Sequence, residues 1–169
     1  MHKGLKEPHL FNAGANPLKL IKNLEQIISA AEIKKIRSEI DSNVVGLYML
    51  GESHFNFARS LPKNEWRQRV SRLYYAAYNV RRSVALKHDG SFSTDSSDHK
   101  NVNSLPDALD NNAAYKSKLL NLRDDRNLCD YNHLATEQDL LIPLIDCEKI
   151  VSDFLVDAKK FLDSQGVNL

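Results

Sequence analysis

"WRQRVSRLYYAAYNVRRSVAL", residues 66–86, decides the fold. Its apolar residues Trp66, Val70, Leu73, Ala77, Val80 and Val84 recur at alternating steps of four and three, the spacing that keeps one face of a helix turned towards neighbouring helices. A strand would alternate every second residue, and this segment does not. The helix is expected to start near Lys63 and to stop at "KHDG", 87–90, where Gly90 can adopt the left-handed backbone that ends a helix.

Outward from this segment the same periodicity continues. Asn16 followed by Pro17 makes an N-cap and first-turn pair. The helix it opens carries Leu18, Ile21, Leu24, Ile28, Ile33, Ile36 and Ile40 to about residue 41, with room for a break near Ala31. Ser42 can cap a second helix through "NVVGLYMLGESHFNFARSL", 43–61, which ends before Pro62 because proline disfavours helical geometry in the residue before it. On the other side, "SFSTDSSDHKNVNSLPDALDN", 91–111, reads as a loop with a short helix around His99 to Leu105. A fourth helix is expected over 108–134. A fifth opens at the capping-box-like "TEQD", Thr136 to Asp139, with Pro143 kinking its first turns or marking its true start. The expected fold is therefore all-α, an antiparallel up-and-down bundle of four to five helices. It forms a single domain over 17–165, with a flexible N-terminal arm at 1–16 and a C-terminal tail at 166–169.

Composition narrows the class. A chain of 169 residues with 42% hydrophobic and 27% charged residues is that of an ordinary soluble domain. No apolar run approaches the roughly 20 residues of a membrane span. "MHKGLKEPHLFNAGANP" has no apolar core of about 7 to 15 residues, so no secretory signal is expected and the cytoplasm is the expected location. Cys129 and Cys147 fall at apolar helical positions, which favours buried thiols over a disulfide framework. The net charge of +1 carries no global sign of nucleic-acid binding. Locally, however, residues 63–87 set Lys63, Arg67, Arg69, Arg72, Arg81, Arg82 and Lys87 against Glu65 alone, which is either a phosphate-holding stripe or a solvated face.

The fourth helix poses the chemical question. At 100° per residue, Tyr115, Leu119, Leu122, Arg126, Cys129 and His133 fall within about 40° of one line. An arginine keeps its proton, and burying it unpaired costs several kcal/mol. A partner is therefore required, either a carboxylate or a phosphate that comes and goes. Residues alone leave other readings open: an i,i+4 pair of Arg126 with Asp130, an arginine snorkelling to the edge of the stripe, and a histidine satisfied within the core. A plain helical adaptor would pair Arg126 with Asp130 at the exposed surface.

The sequence of Arg126, Asn127, "LCDYN" and His133 resembles the hallmark of the HEPN superfamily (higher eukaryotes and prokaryotes nucleotide-binding), an arginine, four to six intervening residues and a histidine, with a polar residue next to the arginine. "SRLYYAAYNVRRSVAL", 71–86, resembles the aromatic, alanine-rich helix of these proteins, and "SDHKNV", 97–102, the histidine-containing turn that follows it. "LLNLRDDRNLCDYN", 119–132, resembles their "R-N-x-A-D-Y" helix, with Cys129 where alanine is common. The resemblance covers residues 40 to 165. It implies a metal-independent endoribonuclease, a toxin or antiviral-defence effector, that dimerises so that two Arg–His motifs line one cleft. The alternative within the same family is a non-catalytic module that binds a nucleotide or a protein partner.

The residue types suit that chemistry. Attack by a ribose 2′-hydroxyl needs a group to take its proton, donors for charge growing on the phosphate, and a proton for the departing 5′-oxygen. The products are a 2′,3′-cyclic phosphate and a 5′-hydroxyl. A histidine titrates near neutral pH, so His133 can serve as acid or base. Arg126 can clamp the phosphate through two parallel hydrogen bonds, and Asn127 can orient the ribose or the histidine. Arg123, Tyr131, His99 and Asp130 are the candidate RNA-contacting residues, Tyr131 by stacking a base although its position favours core packing. A single motif holds one histidine, so a homodimer is expected to supply a second. Tyr115 and Leu119 would form the dry part of the interface, and Leu120, Leu128 and Tyr131 would face the core. His54 is expected to be a partly buried helix residue, and Tyr74, Tyr75 and Tyr78 bundle packing, with room for one of them to reach the cleft. No metal or other cofactor is expected, since His88, Asp89, Asp95, Asp98 and His99 match no ligand spacing. In HEPN toxins paired with a nucleotidyltransferase antitoxin, a modified tyrosine stands two residues after the histidine. Ala135 occupies that place, so regulation by that modification is not expected; an antitoxin or other inhibitory protein that covers the cleft stays open, and nothing in the sequence calls for one.

Overall fold

The computed structural model describes residues 16–169, so the arm expected at 1–16 lies outside the described residues except for Asn16. Among the described residues the chain forms α1 (Pro17–Leu24), α2 (Ala30–Ser60), α3 (Trp66–Asp89), α4 (Asn112–Tyr131) and α5 (Leu144–Ser164), with 3₁₀ turns at Ser96–Asn101 and Glu137–Asp139 and no strand. This is the helical bundle the periodicity predicts.

Asn16 caps α1 by accepting from the Lys19 amide at 2.9 Å, and its side-chain amide donates to the Asp89 carbonyl, tying the start of α1 to the end of α3. The chain then breaks before Ser29, not at Ser42. Ser29 and Glu32 form a reciprocal capping box, and α2 runs unbroken through Ser42 to Ser60. Ser42 lacks such a partner arrangement, and the flanking Ile40 and Val44 are already held in the core, so nothing stops the helix there.

α2 and α3 pack antiparallel. As numbers rise along α2 the partners on α3 fall: Asp41 pairs with Lys87, Val44 accepts from Ser83, and Phe57 lies under Arg72. Gly51 permits the close approach midway, because a Cβ there would lie 2.8 Å from the Ala76 carbonyl oxygen. α3 is the central helix, packed against α2, α4 and α5, and Val70, Leu73, Ala77, Val80 and Val84 are all buried. It begins at Trp66, after a turn in which the Glu65 amide donates to Pro62, and ends at Gly90 with φ of 66°.

α4 starts after Asn111, whose side chain donates to Asp157 on α5; the Tyr115 hydroxyl donates to the same carboxylate oxygen at 2.8 Å. Buried Asp125 accepts from the amides of Leu141 and Ile142 and so anchors the strap between α4 and α5. Within that strap the Thr136–Asp139 capping box closes only a 3₁₀ turn, and α5 begins after Pro143. The last residues pack back on the bundle, with Val167 buried and the Leu169 carbonyl accepting from Lys159.

Two expectations about α4 are corrected. The helix ends at Tyr131, not 134. Arg67 of α3 holds the chain in its turn there: its guanidinium donates to the carbonyls of Cys129, Asn132 and Ala135, and the Cys129 oxygen is the one a helical His133 amide would have used. The second concerns its faces: Leu120 packs on the core as expected and Leu128 is half-buried, but the remaining assignments fail. Tyr115, Leu119, Leu122 and Cys129 are buried in the chain's own core, and Tyr131 is 75% exposed. Burying Tyr115 and Leu119 against α3 and α5 removes them from any dimer interface.

Candidate functional site

Arg126 is the centre of the site. It leaves α4 towards α3, and Nη2 donates to the Tyr75 hydroxyl at 2.6 Å while Nη1 donates to Asn127 Oδ1 at 3.1 Å. Nε lies 2.8 Å from Asp130 Oδ2, off the N–H direction. The guanidinium also rests against the rings of Tyr74, Tyr75 and Tyr131, at 5.8, 5.3 and 5.6 Å from their centroids. Burial works against its charge, but Tyr75, Asp130 and Tyr131 outweigh that and hold its pKa above the ordinary arginine value. The partner required at the apolar stripe is thus a tyrosine hydroxyl together with a carboxylate. The side chain of Arg126 is only 16% exposed, unlike the open surface pair of a plain adaptor.

Beside Arg126 opens a cavity of about 600 Å³. α4 contributes Arg123, Arg126, Asn127 and Tyr131 to its wall, α3 contributes Tyr74, and the Ser96–Asn101 turn contributes His99 and Lys100. The turn is held rigidly. Asp98 is buried and accepts from the Tyr78 hydroxyl at 3.0 Å and from Arg81 at 3.4 Å. His99 stacks on Tyr78 with ring centroids 4.3 Å apart, and its Nδ1 is 2.6 Å from the Tyr74 hydroxyl. Burial and the nearby Arg126 lower the pKa of His99, with Asp98 opposing them. Burial raises the pKa of Tyr74, and burial with Asp98 pushes Tyr78 up to about 12, so both hydroxyls keep their protons near neutral pH.

Five of the candidate residues therefore converge: Arg126, Asn127, Arg123, Tyr131 and His99. Asp130 joins them through Arg126. Arg123 is already paired with Asp124 at 2.8 Å. His133 stands apart. It is exposed in the turn after α4 and is not part of the cavity wall, because the helix that was to carry it stops two residues short. Tyr131, for which core packing was favoured, has its ring at the cavity instead. Lys100 is the member the sequence reading missed, and of the three tyrosines, expected as packing with one reaching the cleft, Tyr74 forms part of the wall and Tyr75 binds Arg126. The run Tyr74, Tyr75 and Tyr78, at helical spacing opposite an arginine in need of a partner, was the available signal for that contact.

The basic run of 63–87 is not an open phosphate track. Arg67 binds the end of α4, Arg69 pairs with Glu148, Arg81 is buried against Asp98 and Ser104, Arg82 donates to Ser93, and Lys87 pairs with Asp41. Cys129 and Cys147 are free and buried, and burial pushes both thiols up to about 12. His54 is half-buried against the ring of Tyr75 at 5.8 Å. Among the described residues no helix is long and apolar enough to cross a membrane, and no group of three or more His, Cys, Asp or Glu is placed to hold a metal ion.

The fold and site define an all-α bundle with a cationic, tyrosine-lined cleft at the junction of α3, α4 and the 3₁₀ turn. Set against family models, curated proteins and solved structures, the chain matches none of them.

Proposed function

We propose that this cleft binds RNA and cleaves it without a metal ion, by 2′-hydroxyl attack. The O2′–P bond forms as the 2′ proton passes to a base, and the P–O5′ bond breaks as the 5′-oxygen takes a proton, leaving a 2′,3′-cyclic phosphate and a 5′-hydroxyl. Arg126 clamps the phosphate, Asn127 orients it, and Arg123 and Lys100 contact flanking phosphates. Tyr131 offers its exposed face to a base. His133, exposed in the turn after α4, is assigned the proton transfer. A second copy supplies a second His133 and so a separate acid and base, and Leu134, Leu141 and Ile145, all exposed in the same stretch of chain, suit such an association. The biological role that goes with this reading is that of a toxin or antiviral-defence effector restrained by a partner over the cleft.

The observation that supports the reading is the position of Arg126, nearly buried on tyrosines yet part of an open cavity with two more cations and an exposed aromatic ring. The test compares wild type with Arg126→Ala and His133→Ala on mixed tRNA and mRNA in excess EDTA, reading 3′ ends for cyclic phosphate. Loss of cleavage in both folded variants is expected. The place of His133 outside the cavity wall favours a second reading, a non-catalytic module that holds a nucleotide or a protein partner at the same cleft. Absence of cleavage by the wild type, freed of copurifying partners, would select it.

A further inference from the structure

We infer that His99 serves this cleft as a neutral hydrogen-bond donor, presenting Nε2–H to the phosphate held by Arg126, with Tyr74 as the positioning residue that fixes the imidazole tautomer. The inference rests on the RNA-binding reading of the cleft and assigns a separate task to a histidine outside the Arg–His motif.

The tautomer follows from the hydroxyl. Tyr74 is 1% exposed, and its oxygen has Nδ1 of His99 as its hydrogen-bond partner at 2.6 Å, with no other among the described residues. A buried hydroxyl proton left without an acceptor carries the full cost of its desolvation. The satisfied arrangement therefore has Tyr74 donating to Nδ1, and a neutral ring then carries its proton on Nε2. No protein acceptor takes that proton among the described residues, and His99 forms part of the same cavity wall as Arg126 and Lys100.

The ring is also fixed in place. It is stacked on Tyr78 and meets the ring of Tyr75 edge-on at 6.1 Å. The turn beneath it is pinned by Asp98, which accepts from Tyr78, Arg81 and Asn101. The ionisable groups facing His99 are Tyr74, Tyr75, Tyr78 and Arg82 from α3, Asp98 and Lys100 from its own turn, and Arg126 from α4. Asp98 alone favours the imidazolium, and its carboxylate is already engaged by three donors. Burial and the arginines favour the neutral ring. A neutral N–H aimed where charge grows on a non-bridging oxygen stabilises the transition state without taking part in proton transfer, which leaves the acid and base steps to His133.

The experiment uses the full chain labelled with ¹⁵N-histidine, together with cleavage assays in EDTA. At pH 7 the His99 spectrum should show a bare Nδ1 and a protonated Nε2, and Tyr74→Phe should mix the tautomers. A 2′-O-methyl RNA hexamer, which binds without a 2′-hydroxyl to attack, should shift the Nε2 resonance. His99→Ala should lower kcat roughly 100-fold. His99→Gln, which restores an N–H donor that cannot titrate, should recover most of the rate with an unchanged pH profile. A His99→Gln profile that loses a titrating limb, or a spectrum with Nδ1 protonated, overturns the inference. If the wild type cleaves RNA and His99→Ala cleaves equally well, the inference fails and the ribonuclease reading stands. If the wild type does not cleave but the hexamer shifts Nε2, the ribonuclease reading fails and the donor role stands as a binding contact. Neither cleavage nor a shift removes both.

Discussion

Nη1 of Arg67, near the start of α3, donates to the carbonyl oxygen of Asn132 at 2.8 Å, one residue beyond the end of α4. The same guanidinium holds Cys129 and Ala135, so an arginine on one helix holds the turn that follows another and displays His133. Arg67→Ala leaves these carbonyls without their shared donor and should cost about 3 kcal/mol, the upper end for a hydrogen bond to a charged group. Urea unfolding reads this directly. Amide exchange of residues 132–135 should also accelerate, and cleavage should fall although Arg67 contributes nothing to the cavity wall. Unchanged exchange in that segment would show that the turn is held by other contacts.

Arg126→Lys keeps the charge and loses the planar fork that reaches Tyr75 and Asn127 together while lying on three rings. Cleavage should drop roughly 100-fold, the scale of one lost donor at a growing charge, while the melting temperature changes little. Kinetics and thermal melts on the same preparation separate the two effects. Near-wild-type activity would mean that a point charge suffices and the fork has no role.

Burial lowers the pKa of both His54 and His99, with Arg72 reinforcing it at His54 and Arg126 at His99. The folded chain therefore binds these protons less readily than the unfolded chain, where histidine titrates near 6.5. Stability should fall as pH drops through 6.5 and level off below the folded pKa values. Thermal melts of wild type between pH 7.5 and 5 should show this decline, and the double variant His54→Gln, His99→Gln should show a shallower one. Equal slopes in the two proteins would assign the acid sensitivity to other groups.

The helices were readable because each buries one continuous stripe: Val70, Leu73, Ala77, Val80 and Val84 announce α3 without any partner in view. The boundaries were less so. Ser42 and Ser29 are both good caps in isolation, and only Ser29 has Glu32 placed to return the bond. The end of α4 was illegible for a stronger reason, since Arg67 lies 65 residues away from Asn132 in sequence. The site divided along the same line. Arg126 and Asn127 were visible within one helix, whereas pairing Arg126 with Tyr75 and bringing His99 alongside required the packing of α4 and the 3₁₀ turn on α3. Periodicity placed Tyr115 and Leu119 on one face of α4 but did not say whether that face met α5 or a second copy.

That last ambiguity has a measurable consequence. Leu119 is fully buried within the chain, so Leu119→Ala should cost about 2–5 kcal/mol and leave any self-association unchanged at concentrations where the variant stays folded. Leu134 and Ile145 are 78% and 75% exposed, so Leu134→Ser with Ile145→Ser should leave urea unfolding of the monomer within about 0.5 kcal/mol of wild type. If the proposed dimer forms through this stretch, which carries His133, the double variant should sediment as monomer and lose cleavage with Arg126 and the cavity intact. Sedimentation velocity and the EDTA cleavage assay on the three proteins make the comparison. A double variant that remains dimeric and active would move the association to another face. A wild type that is monomeric and active would confine the whole reaction to one chain, and the acid–base pair would then have to be sought within it.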